Sequence, residues 1–275
     1  VRFLTQHKDV RWLYEARCQP TAPAFFTALR PDQVSPVLDN LIELRKIAAQ
    51  SERVLAALAK ADYEGVWQFF GRRLERKADK SASNAGYEPI PHQFFQAHAA
   101  LGQNADRAVD IVRGWYGDDD RLFQFRGGRL LAIAFPNCPL ALRDKLVAII
   151  ASEGEASLSF ISGILIHYHG DVATHPVCQA MIDCLPENDE RLQQVRNLLR
   201  GTGIVRGAFG MSEAYQRKVA EIEPWQSDAR PKVRAFAIAY MKSMQQSIAA
   251  EHSRSEQDVA MRKLEWDKDL GDDRA

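Results

Sequence analysis

The 275-residue sequence is poor in everything that marks a secreted scaffold, a membrane anchor or a metal site. It has four cysteines, Cys18, Cys138, Cys178 and Cys184, with no CxxC pair and none of the dense spacing of a disulfide framework, which points to a reducing cytoplasm. No apolar run approaches the roughly 20 residues that span a bilayer, and no basic segment followed by an apolar stretch opens the chain. Excess charge is absent too. Lys plus Arg and Asp plus Glu both number 36, so no global field draws the protein to nucleic acid or an anionic membrane, and only a local patch would serve that purpose.

Catalytic signatures are equally scarce. There is no GxxxxGK[ST] phosphate loop, no serine in a nucleophile elbow and no cysteine with a histidine that local sequence defends as its base. The run from Gly201 to Gly207 is glycine-rich, but a phosphate cradle follows a strand, whereas this run follows a Leu-Leu-Arg helix end. Gly201 is therefore expected to be the left-handed residue that ends that helix. His167 and His169 stand two apart, about 200° around a helix, and cannot share a metal there; His175 and Cys178 are three apart but lack a second pair of ligands. Asp118, Asp119 and Asp120 precede Leu122 and Phe123, where capping and the helix dipole explain acidic residues. No catalytic residue, cofactor or metal is assigned.

What the chain does have is helical text. Apolar residues recur at helical spacing at Val34, Val37, Leu38 and Leu41, at Val54, Leu55 and Leu58, and at Val66, Phe69, Phe70 and Leu74. A further helix is expected at Asp9 to Ala16. The polar stretch from Lys80 to Gly86 reads as a loop. Beyond it, helices are expected near Asn104 to Tyr116, Asp119 to Phe135, Leu140 to Ser152, Glu155 to Tyr168, His175 to Leu185, Asp189 to Arg200, Ser212 to Ile222 and Pro231 to Trp266. Taken in pairs they restart every 34 to 37 residues or so, the period of stacked helix pairs. The fold expected is an all-α solenoid of antiparallel helix pairs: N-terminal repeats in 1–80, a connector in 81–103, a regular solenoid in 104–250 and a projecting helix end in 251–275.

Asp228, Pro231, Val233, Arg234 and Ala237 resemble the D-x-x-P-x-V-R-x-x-A pattern of HEAT repeats. Val10-Arg11 and the run from Phe125 to Leu131 are weaker echoes. The resemblance implies a HEAT-like α-solenoid whose Asp and Arg serve packing between repeats, and it implies no reaction. Tyr87 to Trp225 is also similar in general character to helical C-terminal regions of large bacterial signal-transducing NTPases and antiviral conflict proteins. With a first residue that is Val1 and not Met, this suggests a segment of a longer polypeptide, whose other domains would be natural partners.

Two surfaces stand out for binding. Arg72, Arg73, Arg76, Lys77 and Lys80, with Trp67, Phe69 and Phe70 one turn earlier, form a basic ridge that could meet phosphates or an acidic partner. A solvated helix end explains the same charges. Val259, Met261, Leu264 and Trp266 follow a polar stretch on the last helix, which, running from Pro231 to Trp266, would be roughly 54 Å long. Its distal third is expected to project as a docking segment for a partner or a second copy. The expected function is a non-catalytic scaffold for protein interaction or ligand sensing, with nucleic-acid binding as the alternative and an unrecognised hydrolase third.

Overall fold

A computed structural model describes residues 10, 12–13, 22–78, 86–115 and 121–272. The described residues are overwhelmingly helical, and none of them forms a strand. They fall into two compact units, one within Val1–Ile149 plus Ser157–Tyr168, the other comprising Ile150–Ala156 and His169–Ala275.

The first unit holds α1 (Ala22–Thr27), α2 (Pro31–Leu41), α3 (Ala49–Ala61), α4 (Tyr63–Ala78), the short α5 (His98–Leu101), α6 (Ala105–Gly114) and α7 (Arg121–Ala134). It also takes most of α8 (Leu140–Glu153) and all of α9 (Leu158–Leu165). Local chemistry sets the starts. Ser51 Oγ accepts the Ala48 amide, Asp62 Oδ1 accepts that of Gly65, and Asn104 Oδ1 accepts that of Arg107, each capping an orphan donor at a helix N-terminus. The buried carboxylate of Glu52 accepts the backbone amides of Gln96 and Ala97, so α3 also organises the entry to α5.

Helix α4 is the centre of this unit, packing on α2, α3, α6 and α7. The stripe Val66, Phe69, Phe70 and Leu74 is wholly buried, together with Trp67, which stacks on Phe135 with ring centroids 6.5 Å apart. Helices α7 and α9 cross with almost no side chain between them: a Cβ built on Gly128 would lie 2.0 Å from the Gly163 carbonyl oxygen. Gly128, within the run that echoes a HEAT motif, is thus held by close backbone approach.

The second unit contains α10 (His175–Cys184), α11 (Leu192–Leu199), α12 (Gly210–Ile222) and α13 (Pro231–Asp272). Helix α13 packs on α12 and α10, as its stripe of Val233, Phe236, Ala237, Tyr240 and Met244 requires, and all five are buried. Two turns in this unit share one device. Asp189 Oδ1 accepts the Arg191 amide at 2.8 Å and Asp228 Oδ1 accepts the Arg230 amide at 2.9 Å, while each arginine side chain forks back onto the same carboxylate. These hydrogen bonds from Arg191 and Arg230 hold both carboxyl groups at a pKa of about 2. The Asp of the HEAT-like pattern therefore acts within its own turn, and Arg234 likewise donates to the Asp228 and Ala229 carbonyls close by.

Helices α6, α8, α10 and α12 begin at Ala105, Leu140, His175 and Gly210, an even interval of 35 residues. The expected boundaries hold within a few residues in this region except at the end of α13, which runs on to Asp272 and not to Trp266; α1 and α5 are additional. The helix expected at Asp9 to Ala16, the loop at Lys80 to Gly86 and the triad Asp118 to Asp120 lie wholly or mostly outside the described residues. One expectation about apolar runs needs correction. By length and composition Leu140–Tyr168 is long and apolar enough to cross a membrane, its charges being confined to Arg143–Lys145 and to Glu153 and Glu155. It is broken by Gly154 at φ +58° and by a 3₁₀ turn at Gly154–Ser157, and Leu142, Leu146, Ile161 and Ile164 are buried.

The continuous exposed stretch of α13 begins later than Glu251. The His252 ring lies 5.1 Å from that of Phe209 and Ser255 is buried, whereas every residue from Glu256 to Leu264 is exposed. A chain ending at Glu256 should therefore match the full chain in thermal unfolding to within about 0.5 kcal/mol, whereas one ending at Ala250 should lose about 1 kcal/mol. Equal midpoints for the two truncations would contradict this boundary.

Candidate functional site

The basic ridge does not form as the sequence suggests. Arg73 is fully buried, donating from Nε to the Pro89 carbonyl at 2.8 Å and from its terminal nitrogens to Leu44 at 2.8 Å, Ile42 at 3.2 Å and Glu88 at 2.7 Å. Three of these acceptors, counting the longer contact to Leu41, follow or end α2, whose last carbonyls have no intrahelical donor. Burial lowers the Arg73 pKa to about 10, so the guanidinium stays charged at neutral pH. Arg72 pairs with Asp39, and Arg76 pairs with Glu43 and donates to Ile42. The Tyr87 ring lies against the guanidinium carbons of both Arg73 and Arg76, at 4.5 Å and 4.8 Å. Trp67, Phe69 and Phe70 have no exposed surface for base stacking. The Lys77 side chain and Lys80 lie outside the described residues.

The His and Cys residues resolve into separate roles. His175 is buried at the first position of α10, its ring edge-on to Trp225 at 5.1 Å, and Cys178 is buried one turn later. His169 and Gly170 take positive φ, and this turn packs against the end of α11. That contact corrects the reading of Gly201, which is not left-handed. A Cβ there would lie 2.9 Å from the His169 Cα, so glycine is required by close approach, and the left-handed positions of the run are Gly203 and Gly207.

His175 Nε2 lies 3.9 Å from Glu221 Oε2, which accepts from Lys218 Nζ at 2.9 Å; Lys218 also donates to the Gly170 carbonyl at 2.6 Å. Burial lowers the His175 pKa, with Glu221 and Asp171 raising it and Lys218 opposing them. The folded unit thus favours the neutral ring. Its stabilising contribution is complete above the ordinary value of 6.5 and is lost as pH falls through the depressed folded value. The midpoint of thermal unfolding should drop between pH 7.5 and 5.5, and His175→Gln should flatten that drop. An unchanged pH slope in the variant would remove His175 as its cause.

The surface of the second unit carries a cleft between α10, α11 and α13. One part, of ≈ 230 Å³, is walled by Ile182, Leu185, Leu192, Ala235 and Phe236, with Glu187 and Lys232 among its polar lining. Lys232 Nζ donates to the Asp183 and Leu185 carbonyls at the end of α10. A second part, of ≈ 280 Å³, shares Arg196 and Ala239 with the first and adds Gln193, Asn197, Arg200 and Ser243 over Tyr240. Only the spacing of Gln193, Arg196, Asn197 and Arg200 along one helix face, free of carboxylates, would have signalled it in the sequence.

Val259, Met261 and Leu264 are exposed on α13, while the Trp266 side chain lies outside the described residues. Among the described residues no group of three or more His, Cys, Asp or Glu side chains is placed to hold a metal ion. No known protein family, curated protein or solved structure matches the chain.

Proposed function

We propose that the protein is a non-catalytic, HEAT-like helical-repeat scaffold, cytoplasmic and part of a larger bacterial protein, that binds a peptide segment of a protein partner in the α10–α11–α13 cleft. The observation that carries this reading is the cleft itself: an apolar trough floored by Phe236 continues into a polar one without leaving the α11–α13 groove. Such a trough suits an apolar anchor side chain flanked by polar contacts. The even spacing of helix starts supports the repeat character, and four scattered cysteines without a CxxC pair suit a reducing compartment. Nucleic-acid binding at the ridge is less favoured, since Arg73 is occupied internally and Arg72 and Arg76 face carboxylates. The exposed Val259, Met261 and Leu264 favour a second contact, between two copies of the chain.

Ala239 is exposed in the groove, so Ala239→Glu should leave folding intact while placing a carboxylate beside Arg196. A displayed peptide library selected on the wild-type chain should yield binders that the variant fails to hold. Binders indifferent to Ala239→Glu, or no enrichment at all, would move the interaction elsewhere. For the second contact, a chain ending at Glu256 should lose any concentration-dependent light scattering that the full chain shows.

A further inference from the structure

Within the proposed peptide cleft, on which this inference rests, we infer that Arg196 and Arg200 form an anion subsite that receives an acidic side chain of the bound peptide, a carboxylate or a phosphoryl group. The two arginines stand one helical turn apart at the end of α11, and both line the polar part of the cleft. Their partners set them apart from the other arginines that act as anchors in this chain. Arg191 pairs with Asp189 and Glu155, Arg230 with Asp228, Arg72 with Asp39 and Arg107 with Glu64. Arg196 donates to the Gln193 side-chain oxygen at 3.2 Å, and Arg200 donates to Ser247 Oγ at 2.9 Å. Among the described residues neither forms an ion pair with a carboxylate, and Glu187 lines only the adjoining apolar part.

The lining around them completes the complementarity. Gln193, Asn197 and Ser243 supply neutral donors, and no carboxylate lines this part of the cleft. Both guanidinium groups are also positioned before any ligand arrives. Arg196 lies over the Phe236 ring at 5.7 Å and Arg200 over the Tyr215 ring at 4.9 Å, which fixes the planes of the forks and reduces the ordering that binding requires. Beneath them Tyr240 is almost completely buried, and its hydroxyl has no protein hydrogen-bond partner among the described residues. The floor therefore contributes no negative charge. Burial raises the Tyr240 pKa well above its ordinary value, which keeps the hydroxyl neutral.

The adjoining apolar trough selects the kind of anion. A free inorganic ion would use the polar part alone, whereas Arg196 and Ala239 belong to both parts, so a ligand spanning them needs an apolar group beside its acidic one. A peptide with a leucine or similar residue next to glutamate or phosphoserine has that chemistry. Two charge-assisted hydrogen bonds from preset forks are stronger than the neutral contacts of the rest of the cleft.

The test follows the arginine Nε–H resonances of the full chain, assigned with Arg196→Gln and Arg200→Gln. The probes are a synthetic peptide with one leucine before two glutamates, its diglutamine and phosphoserine counterparts, inorganic phosphate alone, and oligothymidylate. The diglutamate or the phosphoserine peptide should shift both signals saturably; whichever binds more tightly identifies carboxylate or phosphoryl as the group received. The diglutamine peptide, and either Arg→Gln variant, should bind about tenfold more weakly. No shift with any peptide overturns the subsite, as does inorganic phosphate saturating it as tightly as the peptides, or oligothymidylate saturating it more tightly. Library-selected peptides that need the Ala239 groove but bind both Arg→Gln variants normally would overturn the subsite and leave the peptide-binding reading standing. Arginine shifts that Ala239→Glu leaves untouched would do the opposite.

Discussion

Replacing Arg73 with Met should destabilise the first unit by about 3–5 kcal/mol in urea unfolding, the scale at which a buried charged hub is removed and its acceptors are left without donors. The acceptors that lose this donor are the Leu44 carbonyl after α2 and the Glu88 and Pro89 carbonyls on a segment far along the chain, while the Ile42 carbonyl keeps Arg76 and the Tyr87 hydroxyl. None can turn to water while Arg73's place stays filled by an apolar side chain. Arg73→Lys should recover part of the loss, because an ammonium retains the charge but cannot span acceptors arranged around a planar fork. A Met variant within 1 kcal/mol of wild type would show that the carbonyls find other donors. A solvated helix end, which explains the same charges locally, would carry no such cost.

Gly128→Ala should be nearly as damaging, at about 3 kcal/mol, although it adds a single carbon to a helix and alanine is the better helix former. The new Cβ would meet the Gly163 carbonyl carbon at 2.7 Å and the Ile164 Cα at 3.1 Å, and both belong to backbone that has no rotamer to change. Helix α9 would have to move away from α7. Gly114→Ala is the control: nothing lies within 4 Å of its Cβ, and it should be neutral or slightly stabilising. If the two variants unfold at the same denaturant concentration, close helix approach is not what requires glycine at 128.

These two residues also show how far the sequence can be read. Helices are legible because apolar spacing is a local property, and the stripes at Val66 to Leu74 and Val233 to Met244 are buried as that spacing demands. Arg73 escapes a local reading because its neighbours Arg72 and Arg76 make a charged series look solvated. Its register says otherwise, since it follows Phe69 and Phe70 by four and three residues and so falls on the buried face. The Asp-x-Arg turn at Asp189 to Arg191 is present in the sequence as a second copy of Asp228 to Arg230, visible once the clamp is known. Gly201 and Gly128 depend on which backbone lies opposite, and no local pattern carries that. The cleft draws its walls from three helices, so neither half announces itself in any one segment.

The clamp around Arg73 has a topological consequence. Helix α4 ends at Ala78, and the chain is next described at Gly86, yet the two sides of that interval are already joined without it: Arg73 grips Glu88 and Pro89, the Glu88 amide donates to the Arg45 carbonyl at 2.7 Å, and the Tyr87 hydroxyl reaches the Ile42 carbonyl at 3.1 Å. The end of α2, helix α4 and residues 87–89 are therefore a single cooperative element: loosening one strips polar partners from the other two, so they open together or not at all.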